Sequence, residues 1–60
     1  MKSLKAIMTT ENGEFRLGQV VWCPRGWRFV SWTCGYANSR KLFETPEEAI
    51  KRFKNVRLEA

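Results

Sequence analysis

Residue types that commonly carry catalysis or bind metals are scarce in this chain of 60 residues, which has no histidine and only two cysteines, Cys23 and Cys34. Two thiols alone cannot complete a four-ligand zinc site. A cysteine nucleophile would also lack the histidine base that usually activates it. The glutamates cluster at the edges of a basic block and do not pair across a recognisable cleft. The sequence therefore predicts no catalytic site, no metal site and no cofactor.

A long apolar run is also missing. The chain begins Met1-Lys2-Ser3-Leu4-Lys5 and continues into a short alternating stretch, which is typical neither of a signal peptide nor of a membrane span. Two cysteines are too few for the disulfide framework of a small secreted protein. We therefore predict one small cytoplasmic domain, spanning residues 1–60, that does not bind a membrane.

Acidic residues are absent from the middle of the chain. No Asp or Glu occurs between Phe15 and Phe43, a segment that holds every Trp and Tyr residue, and the formal net charge is +5. Arginines interleaved with aromatic residues are typical of nucleic-acid surfaces, because guanidinium groups neutralise phosphates and rings stack on bases. The same charge also suits docking onto an acidic protein surface.

Turn signals divide the chain into strands. Asn12-Gly13 favours a type I′ hairpin turn, and Pro24-Arg25-Gly26 favours a three-residue hairpin loop. We expect an antiparallel meander of three to four strands, at residues 3–10, 15–22, 27–33 and 40–44.

A helix start follows the last predicted strand. Thr45 can cap exposed amides, Pro46 suits the first helical position, and Glu48 completes a capping box. One apolar stripe runs along the predicted helix, through Ala49, Ile50, Phe53 and Val56. The sequence therefore predicts an α+β fold in which one C-terminal helix, ending near Arg57, packs on one face of the sheet.

The two turns also predict which residues share a face. They place Met8 beside Leu17 and Val21 beside Phe29. The face under the helix would hold Leu4, Ala6, Met8, Leu17, Val21, Trp27 and Phe29. The uncovered face would hold Lys5, Ile7, Thr9, Arg16, Gly18, Val20, Trp22, Arg28, Val30 and Trp32. An uncovered face with two tryptophans commonly marks an interaction site.

Contacts and candidate binding residues follow from this register. Trp22 would lie across from Arg28 as a cation–π pair, and Trp32 across from Gly18. The two cysteines would lie more than about 20 Å apart, too far for a disulfide. With the loop cations added, the candidate binding residues are Lys5, Arg16, Trp22, Arg25, Arg28, Trp32, Arg40 and Lys41.

Three segments together resemble a known family: Gly26-Trp27-Arg28-Phe29-Val30, then Arg40-Lys41-Leu42-Phe43-Glu44-Thr45, then Glu47-Glu48-Ala49-Ile50. This order of strand, strand and helix entry is similar to the arm-type DNA-binding domains of tyrosine integrases. The family's sheet lies in the major groove, so the resemblance implicates Arg16, Arg28 and Arg40. Size and charge are also similar to small accessory proteins of bacteriophages and mobile elements.

The sequence thus predicts a small basic accessory protein that binds DNA or RNA through an exposed Arg/Trp face and catalyses nothing. Two alternatives use the same face. It could be a protein-interaction module, such as an inhibitor of a host enzyme that inserts Trp22 and Trp32 into its partner, or it could be buried in a homodimer.

Overall fold

The structure is a computed structural model that describes residues 2–33 and 35–60. Its elements are β1 (Ser3–Thr10), β2 (Gly13–Cys23), β3 (Gly26–Ser31), α1 (Pro46–Ala49) and β4 (Val56–Glu59). The four strands form one antiparallel sheet in the order β3-β2-β1-β4. This is the strand order of a Greek key, since β4 returns to lie beside β1. The antiparallel sheet is confirmed, but its order is not that of a simple meander.

The first hairpin has a different register from the predicted one. Thr10 pairs with Gly13, so the loop consists of Glu11 and Asn12. The Thr10 hydroxyl donates to the Gly13 carbonyl (2.9 Å) and accepts from the Asn12 N–H (3.3 Å). These bonds close the turn one residue earlier than the Asn12-Gly13 signal predicts, so Met8 lies opposite Phe15 and not Leu17.

A β-bulge then changes the register along the same pair of strands. Ile7 pairs with Arg16, whereas Ala6 pairs with Gly18, and Leu17 is the extra residue between them. A bulge of this kind shifts the pairing of every later position by one residue. Leu4 therefore lies opposite Val20 instead of the predicted Val21.

The second hairpin closes through two residues, Pro24 and Arg25, because Cys23 pairs with Gly26. Gly26 is the first residue of β3. A side chain does not fit there, because a Cβ on Gly26 would come within 2.6 Å of the Phe43 carbonyl oxygen. Val20 consequently pairs with Phe29. Since side chains alternate between faces, the bulge moves Val20 to the core side and Val21 to the opposite side, and the shorter loop keeps Phe29 on the core side beside Val20.

The core lies on one face of the sheet. Its buried residues are Ala6, Leu17, Val20, Phe29, Ala49 and Ile50. Gly18 is also buried there, and a Cβ on it would come within 2.9 Å of the Phe29 ring. The space predicted for Trp32 at Gly18 is therefore occupied by Phe29, and Gly18 pairs with Ser31.

The predicted helix is only one turn long. Its start is confirmed, since the Thr45 hydroxyl accepts from the Glu48 N–H at 3.2 Å. The helix ends at Ala49, and the chain reverses through Asn55, which has a positive φ of 60°. The prediction of a helix that ends near Arg57 is wrong.

The C-terminal segment forms β4 instead, paired with β1. Val56-Arg57-Leu58-Glu59 alternates apolar and charged residues, the pattern of a half-buried strand. Pairing with β4 also provides hydrogen-bond partners for the edge of β1 that β2 leaves free. The sheet thus gains its fourth strand from the end of the chain.

The segment between β3 and β4 covers the core face. Phe53 lies on the core as predicted, its ring centroid 5.0 Å from that of Phe29 and 5.8 Å from that of Tyr36. The prediction of a strand at residues 40–44 is wrong. In this segment only Phe43 pairs with the sheet, through an isolated bridge in which Phe43 and Trp27 exchange two backbone hydrogen bonds of 2.7 Å.

Candidate binding surface

The observed register defines an outer face, on the side of the sheet away from the core. It comprises Lys5, Ile7, Thr9, Glu14, Arg16, Gln19, Val21, Cys23, Arg28, Val30, Trp32, Arg57 and Glu59. Each of these residues is exposed or half-buried. On the other side of the sheet, residues 35–55 cover the core, where Tyr36, Phe43, Ala49, Ile50 and Phe53 pack. The outer face is therefore the surface that the described residues leave open.

A stacked pair of side chains dominates this face. The Arg16 guanidinium carbon lies 3.5 Å from the centroid of the Trp32 ring. The backbone holds the pair in place, because the Trp32 N–H donates to the Leu17 carbonyl (3.0 Å) and the Thr33 hydroxyl donates to the Arg16 carbonyl (3.1 Å). Trp32 nevertheless remains 56% exposed. One side of its ring is covered by a cation while much of the residue faces solvent.

Two further cations lie on the same face as this pair. Lys5 on β1 and Arg28 on β3 are both exposed, and Arg28 lies opposite Val21 on β2. Three half-buried aliphatic residues, Ile7, Val21 and Val30, lie among these cations, with Gln19 paired between Lys5 and Val30 in the middle of the face. The face thus combines an open aromatic ring, separate aliphatic side chains and three positive charges on adjacent strands.

The β4 side of the outer face carries an ion-paired cluster that the sequence did not predict. Arg57 donates to Glu59 at 2.6 Å and to both carboxylate oxygens of Glu14, one of them at 3.0 Å. These hydrogen bonds from Arg57 lower the pKa of Glu14, and the two carboxylates raise the pKa of Arg57. Because Glu14 and Glu59 neutralise this side, the positive part of the face is confined to β1, β2 and β3.

Trp22 does not belong to the outer face. It pairs with Trp27 on the core side of the sheet, at the end near the second hairpin, and is 44% exposed. The prediction that Trp22 shares a surface with Trp32 is wrong, and so is its predicted pairing with Arg28. The bulge at Leu17 reverses the faces of the β2 positions beyond it, and the two-residue hairpin loop changes the partner of Trp22 from Arg28 to Trp27.

The remaining candidate residues form a second group. Arg25 is exposed in the second hairpin loop, while Arg40 and Lys41 lie in the segment that runs along the free edge of β3. Arg40 and Lys41 line an open cavity of about 380 Å³ together with Arg52, which the sequence did not predict as a neighbour. Arg52 is held structurally, stacked 4.6 Å from the Phe53 centroid and bonded to the Ala37 carbonyl.

Metal-ligating side chains and long apolar helices are two further features of residues 2–33 and 35–60 that bear on function. This part of the chain places no group of three or more Cys, Asp or Glu side chains where they could hold a metal ion. It also contains no helix long and apolar enough to cross a membrane. Cys23 is a half-buried free thiol, and Cys34 lies outside the described residues, so the predicted separation of the two cysteines stays a prediction.

No known protein family, curated protein or solved structure matches the chain. The resemblance to the arm-type domains of tyrosine integrases therefore stays a prediction.

Proposed function

We propose that the protein binds nucleic acid through its outer face and acts as a small accessory protein in the cytoplasm, without catalysing a reaction. The observation that carries this proposal is the exposed Trp32 ring stacked on Arg16, with Lys5 and Arg28 on the strands beside it. Rings and guanidinium groups on one open surface are the two components that nucleic-acid binding uses.

The positions of the cations support the proposal. Lys5, Arg16 and Arg28 lie on three adjacent strands, and neighbouring strands are about 4.8 Å apart. The three side chains are therefore close enough to contact one polyanion together. Each phosphate that they neutralise would release condensed counterions, which is the main source of sequence-independent affinity.

A protein partner with an acidic surface is the second candidate. It is favoured by the three half-buried aliphatic residues of the face, Ile7, Val21 and Val30, which lie on the same surface as the exposed Trp32. Aromatic anchors of this kind are common in protein interfaces. An inhibitor of a host enzyme would insert Trp32 into its partner. Trp22 would not take part, because it lies on the core side of the sheet.

The experiment is a salt titration of fluorescence anisotropy with labelled DNA and RNA oligonucleotides. Binding should weaken steeply with salt, and Arg28→Ala should flatten the logarithmic slope by about 0.7–0.9, the value of one phosphate contact. Lys51→Ala is the matched control, because it removes one exposed positive charge from the covering segment. Equal slopes for the two variants, or no binding at low salt, would contradict the proposal.

A further inference from the structure

We infer that the nucleic acid bound by the outer face is single-stranded, with an unpaired base stacked on the side of the Trp32 ring that Arg16 leaves open. This inference rests on the proposed function and narrows its ligand. It is carried by the arrangement of Trp32, by the aliphatic residues Val21 and Val30 near Arg28, and by the width of the sheet.

The ring argues for an unpaired base. Arg16 lies 3.5 Å from the ring centroid and so occupies one side of the indole, while 56% exposure leaves surface for a second planar group. A base in a duplex is already stacked on its neighbours and presents only its edges in the grooves. A base in a single strand can be splayed out and stacked on an aromatic side chain.

Two aliphatic residues near the cations support the same conclusion. Val30 lies in β3 between Arg28 and the end of the strand that leads into Trp32, and Val21 lies opposite Arg28 on β2. Phosphates remain hydrated and gain nothing from contact with aliphatic side chains, whereas the flat faces of bases are apolar. A single strand laid along β3 would place bases on the aliphatic surface and phosphates near the flanking cations.

The sheet is also too broad to enter a DNA groove face-on. Four strands about 4.8 Å apart span roughly 14 Å between the outer strand axes, whereas the major groove is about 12 Å wide. The segment bridged through Phe43 adds further width along the edge of β3. The four-stranded face therefore does not fit into the groove as a whole, whereas a single strand can reach Trp32 on the open face.

The experiment compares three labelled ligands in the same anisotropy titration: oligothymidine of about 12 nucleotides, oligouridine of the same length and a blunt DNA duplex. This length lies within the roughly 4–16 nucleotides that single-strand sites cover. We expect the single strands to bind about 5-fold or more tightly than the duplex. Binding of either sugar supports the inference.

Two tryptophan variants test where the base stacks. Trp32→Ala should weaken single-strand binding by about 5- to 150-fold, the equivalent of one stacked base, and should leave weak duplex binding unchanged. Trp22→Ala is the matched control, since Trp22 is also exposed but lies on the core side. It should change affinity by less than about twofold. Trp32→Phe retains a stacking ring and should recover most of the affinity, which separates loss of stacking from loss of folding.

The outcomes separate this inference from the proposed function. Duplex binding as tight as single-strand binding, with no effect of Trp32→Ala, would overturn the inference and leave nucleic-acid binding standing. Absence of binding to all three ligands at low salt would overturn both. A Trp32-dependent dimer in analytical ultracentrifugation, with no oligonucleotide binding, would also overturn both, because a second copy of the chain would then occupy the face.

Discussion

Phe53 is the residue whose removal most directly tests the packing of the covering segment. It lies between α1 and β4, outside any regular element, yet its ring packs against Phe29 at 5.0 Å and Tyr36 at 5.8 Å between centroids. Phe29 is fully buried, whereas Phe53 is half-buried. Phe53→Ala would remove the side chain that fixes this segment over the core.

The expected loss of stability follows from these contacts. Truncating a buried Phe to Ala costs about 3–5 kcal/mol, and a half-buried ring forfeits roughly half of that. Each aromatic pair contributes about 0.5–1.5 kcal/mol beyond area burial, part of which the truncation figure already includes. We expect a total loss of about 2–4 kcal/mol. A domain of 60 residues has a total stability of roughly 3–9 kcal/mol, so this loss is a large share of it.

Urea denaturation followed by tryptophan fluorescence measures this loss. At a slope of about 1 kcal/mol per molar urea, the midpoint should fall by about 2–4 M. Lys54→Ala, at the exposed neighbouring position, should change the free energy of unfolding by no more than about 0.5 kcal/mol. If the two variants unfolded at the same midpoint, the covering segment would not pack as described.

Two further substitutions test the core and the ion-paired cluster. Gly18→Ala should cost about 1–3 kcal/mol in denaturant unfolding, because its Cβ would lie 2.3 Å from the backbone oxygen of Val30; a fully stable variant would contradict the β2–β3 packing. Glu14→Gln should reduce the loss of stability on acidification. Arg57 lowers the pKa of Glu14 below its ordinary value of 4.5 in the folded state, so its stabilising effect is present above that value and is lost as the pH falls through the folded pKa. Thermal melts near pH 7 and about pH 3 should show a smaller decrease for Glu14→Gln than for the wild type, and an equal decrease would refute the role of this pair.

The outer face was largely predictable because an error of two residues in the strand register leaves each side chain on the same face of the sheet. Near the first turn, the observed pairing differs from the predicted one by two residues, since Met8 pairs with Phe15 and not with Leu17. An even shift leaves every side chain on its own face. Arg16 lies in this part of β2, before the bulge, and so it shares a face with Lys5 as predicted.

Beyond the bulge the difference is one residue, and an odd shift reverses the faces. Val20 and Trp22 therefore lie on the core side. The second loop is one residue shorter than predicted, which shifts the pairing of β2 with β3 by one more residue. The two odd shifts cancel, so the side chains of β3 lie on their predicted faces. Arg28 and Trp32 consequently lie on the outer face as predicted, although the pairings that led to this prediction were wrong.

Local chemistry determined what could be known from the sequence alone: two hairpins, the capped start at Thr45 and the alternation that groups Lys5, Arg28 and Trp32. These features depend on residues a few positions apart. The tertiary structure decided the Leu17 bulge and the identity of the fourth strand. Residues 56–59 continue a helical stripe and also alternate as a strand, so their local preferences do not choose between the two. The free edge of β1 favours the strand, because the backbone N–H and C=O groups of that edge gain hydrogen-bond partners when residues 56–59 extend beside it.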